Sequence, residues 1–174
     1  MHIFLQGPRN IGKSTVILKT LDIISGRSPI ALGGFFTWNS GGGDGTAQIF
    51  LRPAAVERRD EISLLASFDA ALGRMACNLD VFEKTAVRLL AEGANADLII
   101  MDELGFLETD APFFRKAVHD RLAWDVPVLG VLRQGKDIPW HADIKNSPSV
   151  KLFDVTQKNR DALPQELARL LMSR

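Results

Sequence analysis

The chain has 174 residues, of which 46% are apolar and 24% charged, so its composition is that of an ordinary folded domain and excludes a mainly disordered chain. Lys plus Arg and Asp plus Glu number 21 each, and the resulting net charge of zero gives no indication of a broad surface for nucleic acid. A single cysteine, Cys77, excludes an intrachain disulfide framework and a zinc site built from several cysteines.

These quantities lead us to expect one domain over residues 1–174. The apolar runs are too short to span a membrane, and the first residues lack the pattern of a secretory signal. The predicted location is therefore the cytoplasm.

The first third of the chain predicts a strand, a helix and a β-hairpin. Ile3–Leu5 is a short apolar run typical of a buried strand, and apolar residues then recur at helical spacing from Lys13 until Gly26 ends the pattern. Two further runs that suit strands flank a stretch of strong turn residues, and we expect a hairpin with a mobile tip there. The runs are Ile30–Trp38 and Thr46–Leu51, and the turn stretch is 39–45.

The remainder of the chain alternates helices with buried strands. Residues 62–67 fit either a strand or a helix. Asp80 with Glu83 resembles a capping box at a helix start, Pro112 suits the first turn of another helix, and apolar spacing from Leu163 predicts a closing helix. Three apolar runs predict strands, namely Leu98–Met101, Val128–Leu132 and Val150–Val155.

The apolar strands carry no polar alternation, which is typical of strands buried on both faces. Because helices separate them, the chain is predicted to be an α/β protein of the P-loop type: a mostly parallel sheet flanked by helices on both faces, with a β-hairpin after the first helix. Ligands of such sheets bind at the carboxyl ends of the strands, so the residues that follow the strands are the candidates for a site.

The segment 7–14, Gly-Pro-Arg-Asn-Ile-Gly-Lys-Ser, matches the phosphate-binding pattern G-x-x-x-x-G-K-S/T (Walker A) between a strand and a helix. Backbone N–H groups of such a loop point at phosphate oxygens, and the helix N-terminus adds its positive dipole end. We expect Lys13 between the terminal phosphates and the Ser14 hydroxyl on Mg²⁺, whereas Arg9 suits phosphate or solvent equally. The predicted nucleotide-binding residues are Gly7, Pro8, Arg9, Asn10, Ile11, Gly12, Lys13, Ser14 and Thr15.

The strand Leu98–Met101 ends in two carboxylates, Asp102 and Glu103, in the manner of a Walker B motif. Asp102 is suited to hold Mg²⁺ opposite Ser14. Glu103 faces another direction, because strand side chains alternate, and is predicted to orient or deprotonate an attacking water. The alternative is a strand that simply ends in solvated acids. Glu108 on the next loop is predicted to be either a surface acid or a residue that lines the site.

Two more residues are candidates at the same edge. Arg133 follows the strand Val128–Leu132 and is predicted to neutralise charge that develops on the γ-phosphate, with a surface ion pair as the alternative. Asn159 follows the last strand; it either bonds a base edge or belongs to a turn in which Asp161 caps the helix. The three histidines show no metal-ligand spacing, and the three tryptophans show no stacking platform.

Several segments, in order across nearly the whole chain, resemble the small P-loop nucleoside-triphosphatase family that includes the cancer-related nucleoside-triphosphatase. The most specific are Asp-Glu-x-Gly-x-x-Glu at 102–108 and Asn-Arg-Asp-x-Leu at 159–163. The resemblance implies a P-loop α/β fold and slow, Mg²⁺-dependent hydrolysis of ATP, GTP and other nucleoside triphosphates with broad base tolerance. The chain departs from that family at Met75, where tyrosine is usual, and mildly at Ser14, where threonine is more usual.

The sequence therefore predicts a nucleoside-triphosphate phosphohydrolase with Mg²⁺ as cofactor and nucleoside triphosphates as its partners. Two alternatives stay open. A nucleotide or small-molecule kinase would need an acceptor pocket and usually an arginine-rich lid, for which Arg52, Arg58 and Arg59 are the candidates. A nucleotide-dependent binding module would show negligible turnover.

Overall fold

The computed structural model describes residues 1–41, 46–69, 73–134 and 138–173. The strands are β1 (His2–Gln6), β2 (Leu32–Asn39), β3 (Thr46–Pro53), β4 (Ser63–Asp69), β5 (Arg74–Cys77), β6 (Leu98–Leu104), β7 (Val128–Leu132) and β8 (Val150–Asp154). The helices are α1 (Lys13–Ser25), α2 (Val87–Glu92), α3 (Pro112–Leu122), α4 (His141–Asn146) and α5 (Leu163–Met172). Within the described ranges, no helix is both long enough and apolar enough to cross a membrane.

The strands form one eight-stranded sheet in the order β5-β4-β3-β2-β6-β7-β1-β8. In the part of the sheet ordered β2-β6-β7-β1-β8, neighbouring strands pair in parallel. Strands β3, β4 and β5 extend the sheet beyond β2 by antiparallel pairing. The predicted α/β fold, with its hairpin after the first helix, is confirmed. Because β6, β7 and β1 are adjacent and parallel, their carboxyl ends lie at the same edge of the sheet. The segments that follow these strands therefore lie close together.

Helices cover both faces of the sheet, and β1 contributes to both cores. Phe4 belongs to the core under α2 and α3, where it joins Phe35 and Phe114. Ile3 and Leu5 point the opposite way into the core under α1 and α5. Each fully buried side chain of this size stabilises the fold by about 1.5–3 kcal/mol, so the two cores hold the central strands rigidly in place.

Three elements differ from expectation, and one of them is the short helix α4, which has no counterpart among the predicted elements. The ambiguous segment 62–67 lies largely in the strand β4, and β5 has no counterpart among the predicted elements. The β5 residues Arg74–Ala76 are exposed, so no buried apolar run marks this strand in the sequence. The expected mobile tip of the hairpin falls mainly on residues 42–45, which lie outside the described residues.

The capping-box interpretation of Asp80 and Glu83 is wrong. Asp80 has helical backbone angles, φ −60° and ψ −30°, instead of the extended conformation of a capping residue, and it makes no capping hydrogen bond. Its carboxylate accepts a hydrogen bond from Lys84 at 2.8 Å, and Glu83 accepts one from the Phe113 N–H at 3.1 Å. The helix instead starts with a π-helical turn, Val81–Ala86, that continues into α2.

Gly33 on β2 marks a close approach between the sheet and the turn that follows α2. A Cβ at this position would lie 2.6 Å from the Cα of Gly93 and 3.2 Å from the Cβ of Ala96. Neither atom is the end of a flexible side chain, so a larger residue has to displace backbone.

We therefore predict that Gly33→Ala lowers the free energy of unfolding by about 1–3 kcal/mol, the usual cost of overpacking a core. Gly41→Ala is the matched control, because a Cβ there meets no atom within 4 Å. Urea denaturation of both variants checks the prediction, and equal midpoints for the two proteins would contradict it.

Candidate active site

The phosphate loop follows β1 and leads into α1, and its backbone requires glycine at two positions. Gly12, at the start of α1, has φ +106°, in the left-handed region that disfavours other residues. Gly7 has φ +150°, and a Cβ on it would lie 2.7 Å from the carbonyl oxygen of Val155. The pattern of glycines in this loop thus has a conformational cause.

Lys13 lies inside the loop, and its side chain points back at the loop's own carbonyl groups. Its Nζ donates hydrogen bonds to the carbonyl oxygens of Gly7 and Pro8, both at 2.9 Å. Burial lowers the pKa of Lys13, while the carboxylates of Glu103 and Asp102 act in the opposite direction. The ammonium group therefore lies close to both acids of the β6 end.

Asp102 is buried at the end of β6, with 2% of its surface exposed. It accepts a hydrogen bond from the Ser14 hydroxyl, yet its Oδ2 has no partner among the described residues. Burial raises the pKa of Asp102 to about 7, the bond from Ser14 opposes this rise, and the charge of Glu103 adds to it.

An unpaired carboxylate oxygen beside a hydroxyl is the kind of donor set that Mg²⁺ prefers. No group of three or more His, Cys, Asp and Glu side chains suited to a metal occurs among the described residues. Mg²⁺ is commonly bound through only one or two protein groups, with substrate phosphates and water completing its shell. Ser14 and Asp102 therefore fit the ion.

Glu103 and Arg133 form an ion pair at the mouth of the site. The Arg133 Nη1 donates to Glu103 Oε1 at 3.1 Å, and both side chains are about a third exposed. The guanidinium also lies over the ring of Phe106, 4.9 Å from its centroid. The Glu103 N–H donates to the Thr37 hydroxyl at 3.2 Å, which ties β6 to β2. Arg133 thus contacts the residue predicted to prepare the water.

The interpretation of Glu108 as a surface acid is wrong. Its side chain is 2% exposed, and Oε1 accepts a hydrogen bond from the Gly105 N–H. Burial raises the pKa of Glu108 to about 7, although the N–H groups of Gly105 and of Glu108 itself oppose the rise. On its other side Gly105 accepts a hydrogen bond from Trp140 Nε1 at 3.2 Å. Gly105 is therefore fixed through both of its backbone polar groups.

A cavity of about 760 Å³ joins these groups, and we call it the phosphate cavity. It contains most of the residues predicted for the site, from the loop, from the end of β6 and after β7. The lining residues are Gly7, Arg9, Asn10, Gly12, Lys13, Ser14, Thr15, Thr37, Trp38, Asn39, Ile49, Asp102, Glu103, Phe106, Arg133 and Gln134.

Three of the predicted residues do not line this cavity: Pro8, Ile11 and Asn159. Ile11 packs against the core under α1 and α5. The Asn159 amide donates to the Asp154 carbonyl at 2.7 Å, and its Oδ1 accepts from the Thr156 N–H at 2.8 Å, so its side chain shapes a turn.

The neighbours of Asn159 take other roles than expected. Asp161 does not cap α5, which starts after Ala162 without a side-chain cap; its carboxylate lies 3.7 Å from Lys19 Nζ instead. Arg160 Nη1 donates to the Ile11 carbonyl at 3.4 Å, which connects this turn to the phosphate loop.

The candidate lid arginines lie away from the cavity lining. Arg58 forms ion pairs with Glu61 at 2.6 Å and Glu92 at 2.5 Å, and Arg52 lies 5.2 Å from the ring centroid of Phe36. None of the lid candidates is among the described residues that line the phosphate cavity.

Sequence reasoning missed the contribution of the hairpin to the cavity. Thr37, Trp38, Asn39 and Ile49 line it, and Trp38 stacks on Phe50 with ring centroids 5.4 Å apart. Strand register would have shown this pairing, since Trp38 lies opposite Phe50. A hairpin with a long glycine-rich turn does not reveal its register in sequence.

Comparisons with known proteins agree with this geometry. A family model described as NTPase matches residues 2–168. The chain is 30% identical over 175 residues to the nucleoside-triphosphatase THEP1 of Thermotoga petrophila, covering 98% of this chain and 93% of that protein.

Two solved structures share the fold. The solution structure of a human cancer-related nucleoside triphosphatase has a TM-score of 0.74 and 25% identity, covering 99% of this chain and 97% of that one. The crystal structure of THEP1 from Aquifex aeolicus has a TM-score of 0.76 at 22% identity, covering 99% of both chains. Because the family model spans nearly the whole chain and the fold is that of its solved relatives, this chain belongs to the NTPase family.

Proposed function

We propose that this protein is an Mg²⁺-dependent nucleoside-triphosphatase that hydrolyses ATP, GTP and other nucleoside triphosphates to diphosphate and phosphate. The names of its relatives support this class of enzyme. The observation that carries the proposal is that Lys13 and Ser14, which come after β1, line the same cavity as Asp102 and Glu103 near the end of β6. The cytoplasm stays the predicted location.

The loop and Lys13 bind the triphosphate. Backbone N–H groups at the start of α1 donate hydrogen bonds to phosphate oxygens, and the helix dipole favours the negative charge of these oxygens. The ammonium of Lys13, now bonded to the carbonyls of Gly7 and Pro8, moves to the terminal phosphates. Its stem is already buried, so little side-chain freedom is lost in that movement.

Ser14 and Asp102 hold Mg²⁺. The ion supplies neutralisation of the charge on the terminal phosphates when it is bound. The unpaired Oδ2 of Asp102 would be the carboxylate atom that binds the ion, directly or through a water. A cation there favours the ionised carboxylate, which burial otherwise disfavours.

Glu103 prepares the nucleophile. Its carboxylate orients a water for attack on the γ-phosphorus and accepts the proton as the new P–O bond forms and the bond to the bridging oxygen of the diphosphate breaks. The ion pair with Arg133 holds this carboxylate in one orientation before nucleotide binds. Arg133 is also near enough to the cavity to stabilise charge on the γ-phosphate, as its position after β7 predicts.

Glu108 acts as a positioning residue. It fixes Gly105, and the Arg133 side chain lies across that glycine, since a Cβ on Gly105 would meet Arg133 Cδ at 3.2 Å. The backbone N–H of Arg133 also donates to the Leu104 carbonyl at 2.8 Å. Glu108 therefore supports the Arg133 side chain, and through it the orientation of Glu103.

We predict that Glu103→Gln binds Mg²⁺-nucleotide but loses about 10²–10⁴-fold in turnover, because an amide cannot accept the proton of the water. Initial rates of phosphate release and titration calorimetry separate the two effects. Glu57→Gln, an exposed acid outside the cavity lining, is the control and should retain full turnover. Undiminished turnover of Glu103→Gln would falsify the assigned role.

Phosphate release from ATP, GTP, CTP and UTP should occur at similar rates and should stop when EDTA removes Mg²⁺. The reason is that the residues given roles above, Lys13, Ser14, Asp102 and Glu103, act on the phosphates and the ion and not on a base edge. Initial-rate assays with and without Mg²⁺ check this, and turnover that continues in EDTA would contradict the metal requirement.

Glu108→Ala should lower kcat by about 10²-fold, the effect of a small misplacement near the reacting atoms, with little change in KM. Glu108→Gln keeps an oxygen for the Gly105 N–H and should retain most of the activity. Circular dichroism and nucleotide binding confirm that both variants fold. Equal kcat losses in the two variants would show that the hydrogen bond to Gly105 is not what matters.

A further inference from the structure

A second hollow, of about 250 Å³, adjoins the phosphate cavity, and we call it the side pocket. Both share Arg9, Asn39, Ile49, Phe106 and Arg133 in their linings. Ligand pockets usually start at about 300 Å³, so the side pocket is of a size for one ring system rather than a whole cofactor. The phosphohydrolase reaction proposed above makes no use of it.

The floor of the side pocket is one face of the antiparallel extension of the sheet. Ile49 lies opposite Ala66, and Ala47 lies opposite Phe68, which in turn lies opposite Met75. The two alanines leave a hollow between larger apolar side chains. Such a floor recognises the flat face of a ring and not its hydrogen-bonding edge.

The rim of the side pocket is cationic. Arg9 and Arg133 both line it; Arg133 is paired with Glu103, and no described lining residue is itself an acid. Arg9 is exposed and forms no hydrogen bond or ion pair with any described residue. Guanidinium groups bind phosphate with paired hydrogen bonds, so the rim suits a phosphate-bearing ligand.

The side pocket lies next to the residue proposed to prepare the nucleophile. Arg133, which lines it, donates to Glu103, the residue proposed to prepare the attacking water. A phosphate bound at Arg133 would therefore lie close to the residue that prepares the attacking water. A ligand with one flat ring system on the floor and one phosphate at the rim is a nucleoside monophosphate.

We propose that the side pocket binds a nucleoside monophosphate, with its base on the apolar floor and its phosphate between Arg9 and Arg133, as a second acceptor of the γ-phosphoryl group. This inference rests on the proposed function for the binding of the donor triphosphate. An oxygen of the acceptor phosphate forms a bond to the γ-phosphorus, and the bond from that phosphorus to the bridging oxygen of the donor breaks. Two nucleoside diphosphates are the products, and no oxidation or reduction takes place.

The test follows the γ-phosphoryl group. The protein is given Mg²⁺, triphosphate labelled at the γ-phosphate, and AMP, GMP, CMP or UMP in turn. We expect labelled diphosphate from at least one monophosphate, besides labelled free phosphate. Calorimetry with the same monophosphates, on protein saturated with Mg²⁺ and a non-hydrolysable triphosphate, should show binding of one more equivalent.

Two variants assign the effect to the side pocket. Met75→Glu adds a negative charge to a pocket wall that is 42% exposed, and should weaken monophosphate binding by about tenfold or more through charge repulsion. Ala76→Glu is the matched control, since Ala76 is exposed on the next residue of β5 and does not line the pocket. Ala47→Leu should fill the hollow and abolish transfer. All three should hydrolyse triphosphate alone at the rate of the unchanged protein.

Label that appears only in free phosphate, with every monophosphate, overturns the proposal. Monophosphate binding that the triphosphate analogue blocks also overturns it, because the side pocket would then hold the base of the donor. The proposal is also overturned if Ala76→Glu loses phosphoryl transfer as completely as Met75→Glu does. Failure to bind any triphosphate would instead overturn the proposed hydrolase function, so the two failures are distinguishable.

Discussion

An ionised carboxylate is costly to bury unless a cation or a full set of hydrogen bonds compensates for the lost water. Asp102 is buried with one oxygen unpartnered, and burial raises its pKa to about 7. Its only side-chain donor among the described residues is Ser14, which belongs to the phosphate loop. The carboxylate at the end of β6 thus relies on the loop after β1 for its hydrogen bond. A cation bound between the two would compensate the remaining cost of burying its charge.

The parts of the site that the sequence predicts are those with local causes. The phosphate loop has glycines that its backbone angles require, and the apolar strand before Asp102 needs burial on both faces. The sequence predicts the strand Val128–Leu132 with its observed bounds because the run is apolar throughout and lies between Pro127 and Arg133. Arg133 could be placed at the same edge from this alone, since parallel strands end together.

Other features depend on contacts that no local pattern contains. Glu108 looks like a loop acid, yet it is buried because the Gly105 N–H and the turn around it need an acceptor. Asp80 and Glu83 have capping-box spacing, but Lys84 and the Phe113 N–H are better placed to bind them. The role of Trp38 follows from hairpin register, and β5 is an exposed edge strand with no apolar run.

The sheet has a parallel half, which carries the phosphate loop and the acids of β6, and an antiparallel extension. Strands β3, β4 and β5 form that extension and pair with the parallel half through β2, and most of their described side chains are half-buried or exposed. Leu51 and Leu65 of this extension belong to the core under α2 and α3. Replacements at its exposed positions, such as Gln48 and Arg74, leave that core and the phosphate loop untouched. The exposed face of the extension therefore tolerates amino-acid change at little cost in stability, whereas the buried strands beside the phosphate loop do not.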